Sequence, residues 1–347
     1  MNTATQGRID ASAVHAKGEE IIMRNSGFIA RAALCLAGLL LCGFAQAQAY
    51  PNRQIRLIVP YPPGGGTDFF ARTVGAKMGE LLGQQIVIEN RPGASGIIGA
   101  EALVKSPNDG YTMILGDTAT YALNVSLFKK IPYDPLKDFT FVTLTARFAL
   151  VLMVHPSVQA NSVKELVELA KSKGGQMDYA SPGLGTPHHL AMELFRQRAG
   201  VNFVHVPYKG GAPAMQDLLA GRVPLMFLDL VTASTQVKAG KVRALAVSLP
   251  KRISPMPDLP TIDESGFPGF DAPAWQGFSL PAGAPRDVVM KLNAAFAKAI
   301  TDQELAQKLT SLGTQFIPST PEEMGAFVKS EIEKWGAAVR AGNISLD

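Results

Sequence analysis

Cysteine is nearly absent from this chain of 347 residues: there are two, Cys35 and Cys42, both inside one apolar stretch near the start. If that stretch is removed on export, nothing remains for disulfide stapling, thiol catalysis or a cysteine-ligated metal. Long apolar runs are also missing. The longest candidate, residues 32–45 (AALCLAGLLLCGFA), has 14 residues, short of the ~20 that a spanning helix needs. No lysine- or arginine-rich run exists, and the formal net charge is only +4, so the clustered basic face expected of a nucleic-acid binder is not there. A mild positive balance is compatible with a small anionic ligand and decides little. No internal repeat or low-complexity segment is visible.

What the first fifty residues do contain is a secretory leader. Arg24 and Arg31 precede the apolar run, which ends in Ala45-Gln46-Ala47 followed by Gln48-Ala49-Tyr50. A positive segment, an apolar core and a small-x-small site together describe a signal peptide. Cleavage is expected near Ala47 or Ala49, with residues 1–22 an upstream extension and Met23 an alternative start. An uncleaved anchor is the competing reading. A lipoprotein fits less well, because Cys35 and Cys42 each follow a leucine. About 300 residues would remain, enough for two lobes.

From Tyr50 onward short β-branched runs alternate with helical stretches. IRLIVPY reads as a strand. The next segment places Phe70, Val74, Met78 and Leu81 on one helical face. QIVIE, YTMIL, FALVLMVHP (residues 148–156), MDYAS, NFVHVPY, VPLMFLD and VRALAVS read as further strands. Ser162 and Glu165 form a capping box for VKELVELAKS. Strands alternating with helices imply parallel sheets. Residues 254–285, rich in Pro and Gly, break the rhythm, and only helices are expected after them, with TQFIP between. The expected division is residues 50–150 with 276–347 as one lobe and 151–275 as the other. Hinges would fall near residues 148–155 and 273–280.

The strongest local feature is YPPGGGTDFFAR, residues 61–72, between a strand and a helix. Gly64, Gly65 and Gly66 let backbone N–H groups converge on a ligand, and Thr67 or Asp68 could cap the helix, whose N-terminus favours an anion. The loop lacks the Gly-Lys-Ser/Thr ending of a nucleotide P-loop and the dinucleotide glycine spacing, so a carboxylate suits it better than a phosphate. A tight turn without ligand is the bland alternative. Similar strand-loop-helix turns recur at NRPGASG, GDTAT, SPGLGTPHHLAMELF (Thr186 as N-cap, Pro187 first in the helix) and VPYKGGAPAM. Five such turns gathered at one edge would make a cleft lined by donors.

Enzymatic patterns are weaker. His189 and Glu193 are four apart, yet no HExxH pattern accompanies them and a zinc site needs three or four ligands. Ser95 in GASGI lacks the second glycine of a nucleophile elbow. Asp229, ending VPLMFLD, either meets a donor on a ligand or caps a helix beginning at Thr232.

Taken jointly and in order, YPNRQIRLIVPYPPGGGTDFFAR, NRPGASGIIGAEALVKSPNDGYTMIL, SPGLGTPHHLAMELF, VPYKGGAPAMQDLLAGRV and LPTIDESGFPGF are similar to the tripartite tricarboxylate transporter receptor family, also called the Bug solute-binding proteins. The resemblance covers essentially the whole chain after the leader. It implies a periplasmic-binding-protein type II fold of two α/β lobes, joined by two crossing strands, with a ligand cleft between them. It implies a non-enzymatic periplasmic receptor for a small carboxylate (a di- or tricarboxylate, an acidic amino acid or an aromatic acid), monomeric, without cofactor, metal or nucleic-acid partner. The partners implied are that ligand and the membrane subunits of a transporter. A ligand sensor without transporter, or a periplasmic hydrolase or metal enzyme, are the alternatives.

The implied ligand contacts are Tyr61, Gly65, Gly66, Thr67 and Asp68 on the first loop. Facing them are Ser181, Gly183, Gly185 and Thr186, then Tyr208, Gly210 and Gly211. Asp117, Thr118, Thr120 and Asp229 would reach the distal part of the ligand. His189 falls on the family's histidine-leucine pair, with a ligand role or a structural one.

Overall fold

In a computed structural model, residues 50–346 are described apart from 175, 342 and 343. The leader and its cleavage point lie outside the described residues. Two sheets organise the chain. The first contains β1 (Ile55–Val59), β2 (Ile86–Asn90), β3 (Thr112–Asp117), β4 (Phe139–Phe148), β10 (Ala274–Pro281) and β11 (Thr314–Phe316), in the order β11-β4-β10-β3-β1-β2. The second holds β5 (Leu150–Val154), β6 (Met177–Ser181), β7 (Phe203–Pro207), β8 (Leu225–Asp229) and β9 (Arg243–Val247), ordered β7-β6-β8-β5-β9. Each sheet with its helices is one α/β lobe.

The expectation of parallel sheets holds only in part. β1 pairs parallel with β2 and β3, and β6 with β7 and β8. β10 runs antiparallel to β3 and β4, β11 to β4, and β5 to both β8 and β9. The reason is connectivity. A helical crossover returns the chain parallel to its start, whereas β4 enters β5 with no helix between them. The run read from sequence as one strand over residues 148–156 is therefore two strands, separated by the buried Ala149 and belonging to different sheets. β4 itself, β10 inside the Pro/Gly-rich connector and β11 in TQFIP were not expected as strands. β10 and β11 are hidden beside turn residues, so period-2 patterning did not separate them, whereas β4 (FTFVTLTARF) carries an apolar–polar alternation of its own.

The chain crosses between lobes twice, and the two crossings lie side by side. Leu150 N–H donates to the Ser248 hydroxyl at 3.1 Å, Ser248 N–H to the Leu150 carbonyl at 2.8 Å, and Ala272 N–H to the Ser248 carbonyl at 3.0 Å. Ala274 then pairs with Phe148 in the first sheet.

Helix α1 (Gly66–Leu82) buries Phe70, Val74 and Met78 against the sheet as its periodicity requires, but leaves Leu81 exposed one residue before its end. Gly83, at φ +69°, turns the chain out of the helix. Helices α2 (Ile97–Val104), α3 (Asn124–Leu127, after a π-helical turn at Ala119–Leu123), α8 (Arg286–Ala299), α9 (Gln303–Thr310) and α10 (Pro321–Ala341) complete the first lobe. The second carries α4 (Val163–Ser172), α5 (Pro187–Ala199), α6 (Gly211–Leu219) and α7 (Leu230–Lys238).

α10 is fastened to the first sheet through one buried acid. Glu331 Oε2 accepts from Trp275 Nε1 at 2.8 Å and from Trp335 Nε1 at 3.0 Å, and Tyr121 stacks on Trp275 at 5.7 Å. These are the only two tryptophans of the chain. Replacing Glu331 by alanine strands two buried indole N–H groups, so a stability loss of about 3 kcal/mol is expected. Glu331→Gln, which keeps an acceptor, should lose less. Urea unfolding followed by tryptophan emission measures both, and equal losses in the two variants would contradict this account.

Candidate functional site

Four helices begin at one cavity between the lobes. An α-helix starts with backbone N–H groups that its own turns cannot satisfy, and here they are handled in two ways. α5 is capped by Thr186, whose hydroxyl accepts from His189 N–H at 3.4 Å, and α7 by Asp229, whose Oδ1 accepts from Thr232 N–H at 2.9 Å. α1 and α6 begin at Gly65 and Gly210, which offer no side-chain cap. Gly210 sits at φ +119°, a backbone geometry that suits glycine. Two helix starts are thus left with unsatisfied donors and partial positive charge, and both face the cavity.

The cavity measures about 100 Å³, against the ~10–15 Å³ that a single water requires on the same basis. Gly65, Gly66 and Thr67 line it from the first lobe, and Gly210, Gly211 and Ala212 from the second. Phe148 and Ala274, paired at the crossing strands, form its floor. The lobes meet around it. The Ser95 hydroxyl donates to the Leu184 carbonyl across the rim. Ser95 and its neighbour Ala94 have φ of +51° and +46°, a costly conformation for residues with a Cβ.

The first loop is braced from behind. Asp68 accepts from Gly64 N–H (2.9 Å), Arg72 Nε (3.0 Å) and Asn90 Nδ2 (2.9 Å), and Asn90 Nδ2 also donates to the Tyr61 carbonyl at 3.0 Å. Burial pushes the Asp68 carboxyl up, but Arg72 and these bonds outweigh it and hold it below the usual range. Its task is to shape the loop, for it does not line the cavity. Asp117, at the end of β3, does. Tyr61 Oη donates to its Oδ2 at 2.6 Å, and Thr120 N–H and Oγ1 donate to Oδ1 at 3.0 Å each. Burial raises the Asp117 carboxyl and pushes the Tyr61 phenol well above its ordinary value.

Asp229 presents the opposite case. Its Oδ1 is occupied by Thr232 N–H and Oγ1, both at 2.9 Å, while Oδ2 stands 3.7 Å from His188 Nε2. Burial raises this carboxyl, yet His188 and Thr232 together hold it below the usual range. Both ring nitrogens of His188 are buried without a hydrogen-bond partner among the described residues, as is Gln276 Oε1. Gln276 Nε2 donates to Thr67 Oγ1 at 2.6 Å.

Of the residues singled out from sequence, Tyr61, Gly65, Gly66, Thr67, Asp117, Gly210, Gly211 and Asp229 line the cavity. The others stand behind it. Thr118 is engaged with the Trp275 backbone, and Thr120 with Asp117. Ser181 Oγ lies 2.6 Å from His205 Nε2 and accepts from Gly183 N–H at 3.1 Å, while Thr186 Oγ1 donates to the Gly183 carbonyl at 2.9 Å. Gly185, at φ +70°, donates its N–H to His189 Nδ1 at 3.1 Å. Tyr208 turns its hydroxyl to Asp217 Oδ2 at 2.7 Å. Sequence reasoning missed Gln276 because its strand was not recognised. His189, read from sequence as either a ligand contact or a structural residue, stands behind the cavity and accepts from Gly185 N–H, whereas its neighbour His188 lines the cavity.

Among the described residues no cluster of three His, Cys, Asp or Glu could hold a metal ion, and no helix is long and apolar enough to cross a membrane.

Comparison with known proteins gives concordant matches. The profile described as Tripartite tricarboxylate transporter family receptor matches residues 70–344. The UPF0065 protein in the tcbD-tcbE intergenic region of Pseudomonas sp. (strain P51) is 40% identical over 289 residues, covering 83% of this chain and 85% of that one. Among solved structures, R. palustris Rpa4515 with adipate has a TM-score of 0.83 at 37% identity, covering 86% of this chain and all of that one. MatC (Rpa3494) from Rhodopseudomonas palustris with bound malate has a TM-score of 0.79 at 33% identity, covering 84% of this chain and all of that one.

The second-lobe loops rest on a stack of His189 on His205 (4.1 Å between centroids) on Tyr179 (4.7 Å). Burial lowers His189 to about 4 and His205 to about 3, whereas in an unfolded chain both would titrate near ~6.5. Depressed values mean that the unfolded state takes up protons first. The stability they contribute is complete above about pH 6.5 and is lost as pH falls from there toward 4. The unfolding temperature should drop across that window. The ring-proton NMR signals of both histidines should stay constant from pH 8 to 5, and a titration near 6.5 would refute the neutral stack.

Proposed function

Because the chain belongs to the tripartite tricarboxylate transporter receptor family, whose members are solute-binding receptors with a periplasmic-binding-protein fold, we propose that it captures a small carboxylate by closing its lobes and delivers it to transporter membrane subunits. The observation that carries this reading is the pair of helix starts, each preceded by glycine and without a side-chain cap, facing one cavity. A carboxylate has two acceptor oxygens, and α1 and α6 offer it backbone donors from opposite lobes. Such donors are fixed by the helices, so binding orders little that was free. The adjoining cleft residues Asp117 and Asp229 are held by their own partners, so they shape the pocket without demanding a metal.

Closure follows from the same geometry. An acid bridging α1 and α6 makes its full set of bonds only when the lobes meet, and that differential affinity drives the equilibrium toward the closed form. The moving bodies on this reading are residues 50–150 with 276–347 and residues 151–275, bending where the crossings are stapled at Ser248. The matched proteins carrying malate and adipate support a carboxylate as the ligand class. A receptor of this kind works outside the cytoplasm, which agrees with the leader read from residues 24–49.

Thermal shift and calorimetry across mono-, di- and tricarboxylates and amino acids test the reading. At least one acid should stabilise the mature protein saturably, by roughly 2.7 kcal/mol at a hundred times its Kd, without being consumed. Absence of stabilisation by every acid would sink it. A Cβ at Gly66 would fall 2.7 Å from Asp229 Oδ1, so Gly66→Ala should weaken the best acid at least tenfold (~1.4 kcal/mol).

A further inference from the structure

Four consecutive residues, Gly93 to Gly96, have positive φ: +132°, +46°, +51° and +86°. Glycine adopts such angles freely, whereas a residue with a Cβ is strained in them. Glycine at all four positions would relieve the turn, yet Ala94 and Ser95 stand at its centre. Among the described residues they are the only non-glycines of positive φ. Strain of this kind persists where the surroundings over-determine the backbone, and here they do. Gly96 N–H donates to the Gly93 carbonyl at 3.1 Å, and a Cβ on Gly96 would fall 2.9 Å from Thr120 Oγ1. The Ser95 carbonyl accepts from Asn124 Nδ2 at 3.0 Å. Asn124 is fully buried and donates also to Tyr133 Oη at 3.1 Å, and Tyr133 Oη donates to the Thr120 carbonyl at 2.8 Å. Thr120 in turn holds Asp117 at the cavity wall. The turn is thus fixed to the framework of the first lobe.

What serine adds to this turn over glycine is a hydroxyl, and that hydroxyl donates to the Leu184 carbonyl of the second lobe. Resting on the lobe-closure reading above, we propose that Ser95 is a latch: a positioning residue, held strained by the first lobe, whose bond to Leu184 stabilises the closed form and retains whatever acid has closed it.

The second lobe approaches the same point from its own side. A Cβ on Gly185, next to Leu184, would fall 2.7 Å from Ser95 Oγ and 2.8 Å from Leu346 Cδ1. Leu346 belongs to the first lobe, where its N–H donates to the Leu127 carbonyl at 3.0 Å. The lobes therefore touch through Ser95 and Leu346 on one side and the Leu184–Gly185 backbone on the other. Contacts that exist only when the lobes meet favour the closed form alone. Ser95 stands outside the cavity lining, so it acts alike on every acid that closes the cleft. Its effect is on release and not on selection.

Closure can be read from a nitroxide pair at Lys164→Cys on α4 and Lys329→Cys on α10, exposed positions in opposite lobes of a mature chain without cysteine. Double electron–electron resonance gives the closed-to-open ratio while a mixture of malate, succinate, adipate, citrate and glutamate is added until half of the native molecules are closed. At that concentration Ser95→Ala and Ser95→Gly should each show a ratio about fivefold lower, the weight of one net hydrogen bond. Without acid, Ser95→Gly is relieved of the strained Cβ and should unfold at no lower temperature than the native chain. A serine that merely supported the fold would lose stability and closure together. A ratio within twofold of native in either variant overturns the proposal, as does a lowered unfolding temperature in both. If the native lobes close and the variants close as readily, only the latch fails. If the native lobes close with none of these acids, the closure reading fails and the latch with it.

Discussion

An α-helix begins with donors it cannot satisfy, and the fold of this protein is arranged around where four such beginnings are placed. Two are closed by side chains of the chain itself, Thr186 on α5 and Asp229 on α7. Two are preceded by glycine and stay open. β1, β6, β7 and β8, parallel within their sheets and each followed by a helix, put the starts of α1, α5, α6 and α7 at the carboxyl edges of the two sheets, and two sheets turned toward each other bring those edges together. The cavity is thus a consequence of topology, and the partial positive charge at its two open helix starts is a consequence of which caps are missing.

The residues behind the cavity explain why the open starts stay in place. Asp68 and Asn90 hold the first loop, and the Tyr179–His205–His189 stack supports the second. Neither group needs to touch a ligand. The division explains why a residue list drawn from sequence mixes contacts with supports. A glycine-rich loop announces its position along the chain, but which of its side chains face inward depends on helix phase.

Much of the architecture was legible before any coordinates. The β1–α1 unit shows both the continuous apolar strand IRLIV and the helical spacing of Phe70, Val74 and Met78, and both follow from local burial. The capping box at Ser162 and the cap at Thr186 were equally readable, since each involves only neighbours in sequence. The illegible parts depend on distant chain. β10 owes its strand character to pairing with β3 and β4, and its own composition, AWQGFSLP, carries little alternation. Gln276 could enter the site only once that strand was known. The split of residues 148–156 into β4 and β5 likewise reflects which sheet each half joins, a choice the apolar run itself cannot express.

That split has a further consequence. Only Ala149 separates the last residue of one sheet from the first residue of the other, so the two sheets share a single phase along the chain. In most proteins an extra residue between two elements is absorbed by a loop. Here, one residue inserted or deleted would exchange the two faces of β5, both of them buried, relative to β4 and force each packed layer of the second sheet to meet the wrong side chains. Length variation across relatives should therefore collect in the surface connections, such as the segment between β9 and β10, and leave the residue count through this crossing unchanged.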